Sequence, residues 1–78
     1  MKVELHNTTK IVELSTPTGT VPARVWEGHT NDGIPVIAFI TRIAAERDRD
    51  LAEFERDLQE MSPPSPDVAV WPARMVID

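Results

Sequence analysis

Seventy-eight residues with a formal charge of −5 make one small domain, and a chain this short buries only about 60–65% of the surface it exposes when unfolded. The absence of cysteine excludes disulfides and thiolate metal sites, and two isolated histidines, His6 and His29, do not suggest a metal centre. The acidic balance gives no electrostatic reason to bind nucleic acid or anionic lipid, and no apolar run approaches the ~18–20 residues of a membrane span.

The chain opens on strand patterns. Val3 and Leu5 alternate with Lys2, Glu4 and His6, a period of two. The opening Met1–Glu4 lacks the apolar stretch of roughly 7–15 residues of a signal peptide, so the expected location is the cytoplasm. Asn7-Thr8-Thr9 reads as a turn, followed by a β-branched strand, Lys10–Leu14. Thr16-Pro17-Thr18-Gly19 reads as a tight turn, because Pro17 fixes φ and Gly19 tolerates positive φ. Thr20–Gly28 is the next strand, with Val21, Ala23 and Val25 on one face and Arg24 and Trp26 on the other. Pro22 has no N–H and belongs near the strand start or at a sheet edge.

Thr30-Asn31-Asp32-Gly33 is the clearest hairpin signal. The run after it, Ile34–Ile40, is apolar on both faces, with Ile37 and Phe39 on one side and Val36, Ala38 and Ile40 on the other. That pattern predicts a strand buried twice over, central in the sheet.

A helix is predicted over about 46–61. Leu51, Phe54, Leu58 and Met61 recur at three and four residues and form an apolar stripe. Asp48 or Asp50 is the predicted N-cap. Ser62-Pro63-Pro64-Ser65-Pro66 stops the helix and serves as a stiff connector over 62–66. The tail, 67–78, returns as a strand or lies along the surface. The expected fold is α+β: an antiparallel sheet of four or five strands with one amphipathic helix packed on one face, all in a single domain, 1–78.

Two constellations stand out. Glu46, Asp50, Glu53, Asp57 and Glu60 would share one helical face. Such a row can mimic nucleic-acid phosphates, but Arg49 and Arg56 sit three or four residues from its members and lace it with ion pairs. A solvated outer face is the plainer reading. Trp26 and Trp71 carry much of the aromatic surface of a chain with no tyrosine and two phenylalanines. Trp71, after the proline-rich connector, is the better candidate for an exposed anchor. No nucleophile elbow, glycine-rich phosphate loop or tuned acid–base pair is present, so the expectation is no enzyme, no catalytic residue, no cofactor and no metal.

The stretch Thr18–Gly28, followed by Ile34-Pro35-Val36 and Ala38–Ile43, resembles small accessory proteins of actinobacteriophages. Arginine over lysine, with plentiful alanine, valine and proline, fits a GC-rich genome. The resemblance implies action in the cytoplasm of an infected bacterium and no particular activity. The functional expectation is a non-enzymatic accessory protein acting by protein–protein contact. Its candidate interface residues are Trp71, Trp26, Ile37 and Phe39. The expected partners are a second copy of itself and a host or phage protein, with neither direct nucleic-acid binding nor a membrane. An acidic DNA-mimic inhibitor and a minor virion or assembly component are the alternatives.

Overall fold

The computed structural model describes residues 1–46, 51–72 and 74–76. Its elements are β1 (Val3–Thr16), β2 (Gly19–Thr30), β3 (Pro35–Ile40), α1 (Leu51–Leu58), α2 (Pro66–Ala69) and β4 (Arg74–Val76). The sheet order is β3-β2-β1-β4. The first three strands are antiparallel, whereas β4 pairs parallel to β1 over Glu13–Ser15. The fold is thus α+β, built on three antiparallel strands. The fourth strand differs from expectation: the chain reaches it by a crossover rather than a hairpin, the kind of connection that parallel pairing needs.

The predicted break at Asn7-Thr8-Thr9 is a bulge inside one continuous strand. Asn7 pairs with Trp26 and Ile11 with Arg24, so three residues of β1, Thr8 to Lys10, lie opposite one of β2, Val25. The Thr8 hydroxyl replaces the missing ladder bond by donating to Val25 O at 2.5 Å. It also accepts from Lys10 N at 3.3 Å. Turn chemistry in the sequence therefore marked a local distortion, not a change of direction.

The Thr30–Ile34 hairpin forms as predicted, with Gly33 at φ +84. Thr30 N–H donates to Ile34 O at 2.9 Å. The buried Thr30 hydroxyl accepts from Asp32 N and Ile34 N. Pro22 lies beyond Arg24, the last β2 residue that β3 pairs, so β2 is an edge there, as a proline requires.

Register assigns the two faces of the sheet. Val12 and Ala23 are cross-strand partners, as are Leu14 and Val21, and Val25 faces Phe39. This face holds the core: Val12, Leu14, Ala23 and Val25, with Val68 from α2 and the partly buried Trp71 packed on them. What closes the core is the C-terminal strap. Thirteen residues, Ser62 to Arg74, accompany six of β1, Thr8 to Glu13, along the same edge. The surplus arches over the face as α2.

The strap is held at four places. Ser62 N donates to Asn7 O at 3.1 Å, and Thr9 N donates to Ser62 O at 3.0 Å, so the strap docks on the bulge. The Glu27 carboxylate accepts Ser65 N at 2.8 Å and Ser65 Oγ at 2.6 Å, just where Ser65 caps α2. Lys10 Nζ donates to Ala69 O at 3.2 Å and Trp71 O at 2.8 Å, at the other end of that turn. An acid at its start and a base at its end suit the polarity of the unpaired backbone groups there. Last, Arg74 pairs with its cross-strand neighbour Glu13 at 2.8 Å.

The acid-rich helix does not play its predicted part. α1 runs only Leu51–Leu58 and buries no residue fully, with Leu51 52% exposed and Phe54 and Leu58 partly buried. The predicted N-caps Asp48 and Asp50 lie outside the described residues, as do residues 77–78 of the tail. Instead of covering the core, α1 stands against the opposite face, along an open cleft lined by Leu5, Trp26 and Ile43 from the sheet side and by Phe54 and Leu58. Among the described residues, no helix is long and apolar enough to cross a membrane.

Candidate interaction surface

β3 was expected at the centre of the sheet and lies at its edge. β2 already has β1 on its other side, and no strand among the described residues lies beyond β3. Proline at position 35 agrees with this place, since an edge strand loses no ladder bond to it.

The ladder also fixes which backbone groups are left over. Bonded pairs in an antiparallel ladder recur at every second residue. Starting from the Thr30–Ile34 bond, the residues of β3 that turn N–H and C=O toward β2 are Val36, Ala38 and Ile40, facing Gly28, Trp26 and Arg24. The N–H and C=O groups of Ile37 and Phe39 point away from β2, out of the sheet.

The same two residues carry apolar side chains on the core face, beside the strap. Ile37 is 39% exposed and Phe39 36%, and Ile34 just before the strand is 59% exposed. The Phe39 ring lies 6.0 Å from that of Trp71, tilted by 37°. Residues 34–40 contain no charged residue. An edge strand without charge, apolar on both faces and with outward backbone groups, lacks the lysines and inward charges that ordinarily keep such edges from pairing.

Of the four candidate interface residues, Ile37, Phe39 and Trp71 share one face. Trp71 is partly buried against the core and Phe39 rather than projecting as a free anchor, because Lys10 draws its carbonyl down onto the sheet. Trp26 lies on the opposite face, in the row Asn7–Trp26–Ala38, where it lines the cleft.

The five acids do not form one helical row. Glu53 and Asp57 lie on α1. Glu46 precedes it in irregular chain, Glu60 follows its last turn, and Asp50 lies outside the described residues. Asp57 and Glu60 border the cleft. Among the described residues, no three potential metal ligands cluster.

The groups that hold the strap, Glu27, Lys10 and Ser65, were not anticipated. Their partners lie 38 to 61 residues away in sequence, and no local pattern announces such a pair. Pro35 was the available signal for the edge. The chain matches no family model, no curated protein sequence and no solved structure.

Proposed function

We propose that this chain is a non-enzymatic interaction protein, an accessory protein of the phage type, whose working surface is the outer edge of β3. It acts by strand addition: an extended segment of a partner pairs with the outward backbone groups of Ile37 and Phe39, and its side chains meet Ile37 and Phe39 on the core face. The observation that carries this reading is the uncharged edge strand with its outward N–H and C=O groups. Main-chain bonds supply affinity in such a complex, and the alternate side chains supply selectivity.

The test compares the wild type with Ile37→Lys as baits in an actinobacterial extract to which untagged copies of the chain are added. A lysine on the core face of the edge places a charge where a partner's apolar side chain would lie. The expected result is a protein retained by the wild type and lost with Ile37→Lys at unchanged melting temperature. Identical retention by both baits would remove the edge from the account.

A further inference from the structure

We infer that the strand added to β3 is the β3 of a second copy, paired antiparallel across a two-fold axis with Ile37 of one copy opposite Phe39 of the other. The inference rests on reading the β3 edge as the working surface and adds the occupant and its register.

Three features of the edge point to itself as partner. A two-fold contact places a strand against its own sequence, so any charge on it meets a like or opposite charge at a fixed position. Residues 34–40 carry none, and self-pairing meets no repulsion.

The second feature is the position of Pro35. Only residues of odd number, Pro35, Ile37 and Phe39, turn backbone groups outward within β3. Opposing Ile37 to Phe39 joins both N–H and both C=O groups of each copy in four bonds. Opposing Ile37 to itself sets Phe39 against Pro35, which has no N–H, and leaves a Phe39 carbonyl unpaired in each copy. Opposing Phe39 to itself pushes Ile37 against Thr41, past the end of the strand at Ile40. The Ile37–Phe39 register alone uses every outward group that β3 owns between Pro35 and its end.

The third feature is the side chains. In that register Ile37 and Phe39 of opposite copies are direct neighbours on the core face, a β-branched residue against an aromatic one, which is a favourable cross-strand pair. The four strands of each copy then run into one continuous sheet, with both straps on the same side.

The register makes a chemical prediction at Ala38. Ala38 of each copy falls on the axis and faces its own counterpart in a non-hydrogen-bonded pair, where Cα atoms lie about 4.5 Å apart. That spacing accepts a disulfide. Since the chain has no cysteine, a single introduced one reports cleanly.

The experiment combines light scattering at micromolar concentration with oxidation of Ala38→Cys and Ile40→Cys. The expected result is a dimer mass for the wild type, a disulfide dimer from Ala38→Cys, and none from Ile40→Cys, whose counterparts lie several residues apart along the strands. Ile37→Pro removes an outward N–H and a half-exposed side chain but no bond to β2, and should give a monomer with its melting transition retained. A monomeric wild type with no Ala38→Cys cross-link overturns the second copy as occupant. If the Ile37→Lys bait still loses a partner in extract, the edge reading survives that result; if it does not, both fall. A dimer that forms unchanged in Ile37→Pro and does not cross-link at Ala38 places self-association elsewhere and also overturns the inference.

Discussion

Shortening Val68 to alanine tests whether the strap or the acid-rich helix closes the core. Val68 is 4% exposed and sits on Val12, Leu14, Ala23 and Val25. Val68→Ala removes two methyl groups, worth about 1.6 kcal/mol at ~0.8 kcal/mol each. The space left, on the order of 50 Å³, adds about 1 kcal/mol if the core does not collapse around it. A loss near 2.5 kcal/mol is roughly half the stability of a domain this small. At about 4–8 °C per kcal/mol the melting temperature falls by roughly 10–20 °C. The comparison is Leu51→Ala. Leu51 belongs to the apolar stripe that the sequence pattern sends into the core, yet it is 52% exposed. Its truncation, to a residue with the best helix propensity, should cost under about 0.5 kcal/mol. Thermal melts followed by circular dichroism at fixed protein concentration decide the matter. A larger shift for Leu51→Ala than for Val68→Ala would mean that α1 seals the core and that the strap is an ornament on its surface.

The strands were legible because their signals are local. Alternation placed Ala23 and Val25 on one face, β-branched composition marked the strand that carries Val12 and Leu14, and the Asp-Gly turn placed the hairpin that carries β3. Position within the sheet was not legible from hydrophobicity alone. A run apolar on both sides describes a central strand covered by helices, but it equally describes an edge that is covered only when a partner arrives. Pro35 separates the two, because its missing N–H is harmless only where no neighbour needs it. The helix was misplaced for a related reason. Periodicity reports that a stripe exists and not what lies opposite it, and here β1 is already served by a segment whose own sequence, Ser62 to Pro66, looks like a mere stop signal. Its grip comes from Glu27 and Lys10, two residues that nothing in their own neighbourhood distinguishes from surface charges. The candidate site divides in the same way. Ile37 and Phe39 were found from alternation, whereas their outward backbone groups follow only from the ladder.

Further outcomes follow from the way the strap is held. Phe54→Ala should cost about 1–2 kcal/mol rather than the ~3–5 of a fully buried phenylalanine, since the ring borders an open cleft; urea titration measures it. Glu27→Ala removes the acceptor of two Ser65 bonds, a loss of about 1.5–3 kcal/mol for bonds to a charged group, and should speed amide exchange at Val68 and Ala69 more than in the β1–β2 ladder. Arg74→Ala breaks an ion pair exposed on both sides and should cost under about 1 kcal/mol, with the difference vanishing in high salt. Gly28→Ala should be the most damaging change of one methyl group in the chain. Gly28 pairs with Leu5 across the β1–β2 ladder, and a Cβ at this position would collide with the Glu4 carbonyl and crowd Leu5 Cα. Both obstacles are backbone, which cannot turn aside as a side chain does, so β1 would have to leave β2 on the N-terminal side of its bulge. The half of β1 beyond the bulge carries Val12 and Leu14 and keeps its own register with β2, so the core nucleus should persist while Val3–Asn7 detaches. The expected signature is loss of exchange protection confined to Glu4, His6, Glu27 and His29, whose N–H groups are the ones turned across this half of the β1–β2 ladder, together with a lowered melting temperature. Full protection of that half of the ladder in Gly28→Ala would show that β1 and β2 do not approach as closely there as the register requires.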